Sequence, residues 1–312
     1  MCKSGQKKSF TNLIEVVVHF SDENICKEYL EQMRWYGNIV CPHCDNEEKI
    51  YRMKKNYKCA KCRKQFSVTK GSIFENSAIP LQKWFAGIWL ITSHKKGISS
   101  LQLHRDLGIT QKSAWFMLQR IRFAIRTKSF SKPLTNTVEA DETYVGGKNK
   151  NRHANKKVPF AQGRSTKDKI PVFGVFGLVE RNGRVVAMEV SNTTQKTIHP
   201  IIKNLVSKDA NLMTDEWKAY KGLTSYYNHA FVKHGEGQYV VGDIHTNTIE
   251  GFWSLFKREI VGIYHNISSK QLDAYIDEFE YRYNTRKSTC SERFDNMLSL
   301  SNSRITHNQL IA

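Results

Sequence analysis

With 48 Lys and Arg against 29 Asp and Glu, the 312-residue chain carries a formal net charge of +19, an excess that no fold requires and that points to a polyanionic partner. The basic residues are interleaved with aromatics along the whole chain, which favours nucleic acid over a membrane surface reached by one polybasic tail or one amphipathic helix. No apolar run nears the roughly 18 residues that span a bilayer, and the start of the chain lacks a signal-peptide core. Four of the seven cysteines stand in Cys-x-x-Cys pairs, so a reducing cytoplasm and a metal site are expected in place of a disulfide framework.

In chain order, residues 1–36 read as an amphipathic lead-in ending at Trp35-Tyr36. Residues 37–70 form a zinc-ribbon candidate: Cys41-Pro-His-Cys44 and Cys59-Ala-Lys-Cys62 are separated by 14 residues. Two such turns brought together by a hairpin can present four thiolates to one tetrahedral Zn²⁺, with His43 a turn residue and not a ligand. Lys54, Lys55, Lys58, Lys61, Arg63 and Lys64 surround the pair with Tyr51 and Tyr57, which suits phosphate contact or simply a solvated basic face.

Residues 80–130 are helical by periodicity, through Trp84, Ile88 and Ile91, then Ala114, Met117, Leu118, Ile121 and Ile125. Ile98 to Leu118 has the pattern of a helix-turn-helix. Ser99 with Gln102 makes a capping box, Gly108 supplies the turn, and Thr110 caps the second helix. Gln111, Lys112 and Ser113 then open the helix that would face a major groove. Seven Lys or Arg and one acid lie between His94 and Arg126, in keeping with DNA docking, though an ordinary helical hairpin has the same periodicity.

Past Ser131-Lys132-Pro133 the texture changes to strands alternating with helices over residues 134–290, with 291–312 as a C-terminal tail. Strands are expected over 137–145, 170–179 and 184–190, the last two joined through Arg181-Asn182-Gly183. A helix over 195–206, a strand ending near Asp215, and helices over 247–260 and 269–286 complete a mixed α/β sheet. Between Gly146 and Lys169 eight Lys or Arg, Lys148 first among them, face one acid. This segment reads as a DNA clamp or as a solvated insert.

Three acids stand out: Asp141 within Val138-Glu-Ala-Asp-Glu-Thr-Tyr, Asp215 at the end of Asn211-Leu-Met-Thr-Asp, and Glu250 within His245-Thr-Asn-Thr-Ile-Glu. Carboxylates converging from separate elements can hold the hard cations that phosphodiester cleavage uses. Each Asp is followed by a Glu, Glu142 or Glu216, and only one of each pair can enter a shared site; parity alone does not say which. Glu250 has a second reading, as the partner of Asn247 in a capping box, and Asp243 is a further acid nearby.

Taken together, the ribbon, the helix-turn-helix, Asp141-Glu-Thr-Tyr-Val-Gly-Gly-Lys148, Thr214-Asp-Glu-Trp and His245-Thr-Asn-Thr-Ile-Glu250 resemble one family over most of the chain. It is the zinc-ribbon group of bacterial insertion-sequence transposases, which carry a DDE triad on a ribonuclease H-like fold. The resemblance implies that Asp141, Asp215 and Glu250 are the triad, binding Mg²⁺ or Mn²⁺, with Asp141 bridging two ions and the other acids completing one each. It also matches Lys257 to a basic position of the triad helix; seven residues, or two turns, after Glu250, it shares that face and can hold a phosphate. The implied partners are double-stranded DNA, as element ends and as target, and further copies of the chain when ends are synapsed. A non-enzymatic DNA-binding regulator and a metal nuclease that cuts without rejoining are the competing readings.

Overall fold

The structure, a computed structural model, describes residues 8–126, 132–146, 172–265 and 267–311. Lys148 and the rest of the basic segment from residue 147 onward lie outside them. The chain divides into two units, Met1–Thr127 with Thr285–Ala312, and Lys128–Asn284. Among the described residues no helix is long and apolar enough to cross a membrane.

The first unit opens with α1 (Leu13–His19) and α2 (Glu23–Trp35), started by Asn12 and Asp22, whose side chains accept N–H groups of the first turn. Tyr36 closes α2 in the left-handed conformation. The ribbon follows as three short antiparallel strands, β1 (Ile50–Arg52), β2 (Tyr57–Cys59) and β3 (Gln65–Phe66). Then come α3 (Leu81–Ser93), buried on almost every side, α4 (Ser100–Leu107) and α5 (Gln111–Ile125). Gly108 ends α4 at φ 57, and Thr110 caps α5 through the Ser113 N–H. The capping box at Ser99 is half formed. Ser99 accepts the Gln102 N–H, but the Gln102 side chain donates to Asp106, one turn on, instead of reaching back.

The second unit is a five-stranded mixed sheet. A meander of β4 (Thr137–Gly146), β5 (Val172–Glu180) and β6 (Val185–Val190) leads to α6 (Gln195–Leu205). β7 (Asn211–Asp215) and β8 (Asn228–Val232) then add to the other side of β4 in parallel, giving the order β6-β5-β4-β7-β8. A small hairpin, β9 (Val240–Val241) with β10 (Ile244–His245), precedes α7 (Asn247–Glu259), a π-turn over Ile260–Tyr264, and α8 (Leu272–Asn284). This is the ribonuclease H-like sheet with flanking helices.

Strand alternation sorts the core into two layers. Val138, Ala140, Phe176, Leu178 and Leu212 pack with Ile198 and Ile202 of α6, whereas Val175, Val179 and Ala187 pack with Ile249, Phe252 and Trp253 of α7 and Phe279 of α8. The α7 layer needs Gly177: a Cβ there would sit 2.5 Å from Trp253 Cζ2, so the missing side chain lets the helix approach the sheet opposite Asp141.

Where a tail was expected after residue 290, the chain forms α9 (Cys290–Ser299) and α10 (His307–Ile311) within the first unit. α9 starts with a complete capping box, Thr289 with Glu292. It sends a fully buried Phe294 into a cluster with Phe10, Phe20, Tyr29, Phe85 and Trp89.

Candidate active site and zinc centre

In the ribbon, Cys41 Sγ lies 3.7 Å from Cys62 Sγ and Cys44 Sγ 3.7 Å from Cys59 Sγ. All four sulfurs fall within 4.8 Å of one another. A zinc ion about 2.3 Å from each of four thiolates places the sulfurs about 3.8 Å apart at the corners of a tetrahedron, which is close to the spacing of these two pairs. Each pair sits on a tight turn, closed by Asp45 N–H to Cys41 O and by Cys59 N–H to Lys64 O. The Cys62 N–H, with that of Lys61, lowers the Cys59 thiol against an opposing push from burial, whereas burial raises Cys41 and Cys44. His43 stands outside the ligand group, as expected.

The sheet resolves the parity of the acids. Glu139 pairs with Met213 across β4 and β7, so Asp141 and Asp215, each two residues on, lie on one face of adjacent parallel strands. That is the α7 face, since Asp141 is paired with Gly177, against which Trp253 packs. The ladder between β4 and β7 ends at Glu139 and Met213, short of both acids. Glu250, in the first turn of α7, joins Asp141 and Lys257 in lining a cleft of about 410 Å³. Asp215 lines a second cleft of about 330 Å³ with Trp217, Tyr220, His229 and Phe231. Glu142 also borders the first cleft, but its carboxylate turns to the other layer, where Tyr220 Oη donates to its Oε2 at 2.7 Å.

Electrostatics couple the acids. Burial, then the charges of Glu142, Asp215 and Glu250, push the Asp141 carboxyl up to about 8. Burial, with Glu216 beside it, raises Asp215 as well, despite the Trp217 N–H that donates to it. Among the described residues only the four cysteines form a group drawn within 4.8 Å; the three carboxylates share a region at wider spacing. A two-cation site with one shared carboxylate is compatible with this, because the outer two acids need not approach each other.

The raised pKa values carry a sign. A carboxyl whose folded pKa lies above its unfolded value stabilises the fold fully below the unfolded value, near 4, and loses that contribution as pH rises through the folded one, about 8 for Asp141. The cation-free protein should therefore melt at falling temperature as pH rises over that range. If Asp141 holds a cation in place of its proton, added Mg²⁺ should raise the melting temperature more at about pH 8 than at about pH 6. An increment independent of pH in a calorimetric series would remove Asp141 from the cation site.

The start of α7 differs from the capping-box alternative for Glu250. Thr246 is the N-cap without a side-chain cap bond, and its hydroxyl donates to Glu250 Oε1 at 2.8 Å. The cap comes from β4 instead: Glu139 Oε2 accepts the N–H groups of Thr248 and Ile249 at 2.8 and 3.0 Å. Its Oε1 accepts the Thr248 hydroxyl at 2.9 Å and Arg181 Nε at 2.7 Å, and His245 Nδ1 lies 3.2 Å away. Sequence reasoning did not single out Glu139, though its i, i+2 relation to Asp141 was a signal. It also missed His234, whose Nε2 is 3.6 Å from Glu250 Oε1. Glu216 holds the turn that carries His234, accepting the N–H groups of His234 and Gly235 at 2.8 Å. Asp243 is exposed between β9 and β10 and lines neither cleft.

In the first unit, the opening residues of α5 present Gln111 and Lys112 to solvent and leave Ser113 half-buried under the Thr110 hydroxyl. Gln111 Nε2 donates to Ser100 Oγ, which ties the two helices together at the turn.

A ribonuclease H-like sheet in one unit and a four-cysteine ribbon in the other define the class. Residues 133–284 match the model of the ISXO2-like transposase domain, and residues 21–65 that of the transposase zinc-ribbon domain. The chain belongs to the insertion-sequence DDE transposases with an N-terminal zinc ribbon. It is 29% identical over 277 residues to a protein of transposable element ISH50 from Halobacterium salinarum, covering 84% of this chain and 91% of the relative. It is 28% identical over 102 residues to a transposase-like protein of Haemophilus influenzae, covering 32% of this chain and 81% of that one. Among solved structures, a pre-cleavage Mos1 transpososome aligns over 74% of this chain and 83% of the other at 13% identity, with a TM-score of 0.24.

Proposed function

We propose that the second unit cuts DNA at the ends of an insertion sequence and joins the resulting 3′-hydroxyl to a target phosphodiester, with Asp141, Asp215 and Glu250 as the acidic triad. The observation that supports this reading is geometric: Asp141 and Asp215 share the α7 face of adjacent parallel strands, and Glu250 lines the same cleft as Asp141, where burial and then the neighbouring carboxylates raise the Asp141 carboxyl to about 8. Carboxylate oxygens suit hard divalent cations such as Mg²⁺ or Mn²⁺. Bound there, such ions supply Lewis-acid activation of the attacking oxygen and charge neutralisation at the leaving oxygen. Asp141, the central acid, would be shared, with Asp215 and Glu250 each completing one coordination sphere. Lys257, in the wall of the cleft with Glu250, would hold a phosphate oxygen of the strand. A strand-transfer assay on DNA bearing candidate terminal repeats tests the proposal. Joined products support it, cuts without joining leave a nuclease, and no reaction with intact binding leaves a regulator.

DNA recognition is assigned to the first unit, with the start of α5 in the major groove. Affinity should fall steeply with salt as basic side chains displace condensed counterions. Gln111→Ala and Lys112→Ala should each reduce binding to element ends by about 1–3 kcal/mol, and binding to random duplex by much less. Equal losses on both duplexes in a fluorescence-anisotropy titration would reduce α5 to a positioning element.

A further inference from the structure

We propose that Glu139 is a positioning residue for the acidic site: its buried carboxylate braces the strand of Asp141 against the helix of Glu250 and sets the separation at which cations are held. The inference rests on the reading of Asp141, Asp215 and Glu250 as cation ligands. Glu139 is 0% exposed and lies two residues before Asp141 on the same face of β4. The N–H groups that it accepts belong to Thr248 and Ile249, the two residues immediately before Glu250. A short route between the two acids therefore runs from Asp141 through Ala140 to Glu139, across to Ile249, and on to Glu250.

Apolar contacts also hold α7 to the sheet, through Ile249, Phe252, Trp253 and Phe256. Apolar packing is non-directional and yields to small sliding of a helix. A carboxylate gripping two successive N–H groups, a hydroxyl and a guanidinium has one geometry. Paired cations about 3.5–4 Å apart, each demanding near-ideal octahedral ligation in the case of Mg²⁺, penalise small displacements of a ligand. Stability alone explains the arrangement poorly, because a buried ion pair is often no more stabilising than apolar side chains of the same volume. A brace at the junction of two ligand-bearing elements gives the buried charge a purpose. Arg181 completes it by also donating to the backbone oxygens of Asp243 and His245, which fixes the β9–β10 hairpin leading into α7.

Titration of the full-length, zinc-loaded protein with Mn²⁺, followed by the electron paramagnetic resonance of the free ion, reads the brace directly. Glu139→Gln keeps the shape but replaces one acceptor oxygen with a donor, which must face either the N–H pair or the Arg181 guanidinium. It should weaken Mn²⁺ binding about 10- to 100-fold, the range for groups that orient metal ligands. In the cleavage assay it should raise the half-saturating Mn²⁺ concentration by the same factor, with the rate recovering at saturation. His245→Gln and Thr248→Val each remove one contact and leave the N–H pair. Each should weaken binding by less than Glu139→Gln does, and they carry the test should Glu139→Gln fail to fold. Wild-type Mn²⁺ affinity in folded Glu139→Gln, or in both milder variants, overturns the proposal even if the melting temperature falls, because a purely structural residue behaves that way. Asp141→Asn is the reference. If it binds Mn²⁺ normally, the ligand reading itself fails and the brace falls with it; if it alone loses Mn²⁺, only the brace is wrong.

Discussion

Asp141→Asn, Asp215→Asn and Glu250→Gln are each expected to abolish cleavage and strand transfer while DNA affinity stays within about twofold of wild type. Each swap keeps the side chain's outline and removes the charge that holds a hard cation. A loss of roughly 4 kcal/mol of transition-state stabilisation, the several kcal/mol that such an ion supplies, is about a 10³-fold drop in rate. Loss of the fold is not the cause, and the melting temperature tells the two apart. Asp141 is held at about 8 by burial and by neighbouring carboxylates, so near pH 8 without cations the asparagine relieves repulsion. Asp141→Asn should then melt above wild type while being inactive, the trade between stability and activity expected of a strained polar site. A variant that is inactive and also less stable would point to misfolding instead.

Glu250→Gln separates two roles, since glutamine still accepts the Thr246 hydroxyl and preserves whatever that bond does for the helix start. Activity in Glu250→Gln would remove Glu250 from the triad. Asp243→Asn is the suitable control, because that side chain is exposed and lines neither cleft. Glu142 and Glu216 are poor controls: one accepts the Tyr220 hydroxyl, and the other holds the His234 turn.

The second large effect belongs to the ribbon. Purified protein should contain one zinc per chain, and Cys44→Ser should lose it and open the segment from Cys41 to Cys62 to proteolysis. The three strands contribute only Cys59 and Phe66 as buried side chains, with Trp35, Ile39 and Val68 beside them. A core of that size cannot offset the entropy of ordering the segment, whereas structural zinc contributes about 10–16 kcal/mol in small finger peptides. The rest of the first unit should survive, because the aromatic cluster around Phe20, Phe85 and Phe294 does not depend on the metal. Elemental analysis together with limited proteolysis checks both parts. Undiminished zinc in Cys44→Ser would remove that thiol from the ligand set.

What could be read from the sequence was local. The two Cys-x-x-Cys turns, the caps at Ser99 and Thr110, Gly108 between the helices, and the period changes that mark β4 to β7 and α6 to α8 all depend on residues within a few positions of one another. Even the alternation that puts Asp141 and Glu142 on opposite faces is a local property. Which face looks toward α7 is not, because it follows from pairing Glu139 with Met213 across more than seventy residues of chain, a register set by long-range packing. The same holds for the brace. Glu139 reads as one more acid in Val138-Glu-Ala-Asp, and only the fold brings it to the N-terminus of a helix 109 residues away. β8 buries only Val232 of its five residues and so shows no alternation, and β9 and β10 are two residues each, too short for a period. α9, capped locally by Thr289 and Glu292, gains its meaning only where Phe294 enters the aromatic core of the first unit. Spacing along the chain specifies elements and ligand turns because dihedral preferences and caps act over one or two turns. The convergence of Asp141, Asp215 and Glu250 belongs to tertiary structure, because contacts distant in sequence are selected by burial and register, which no local pattern contains.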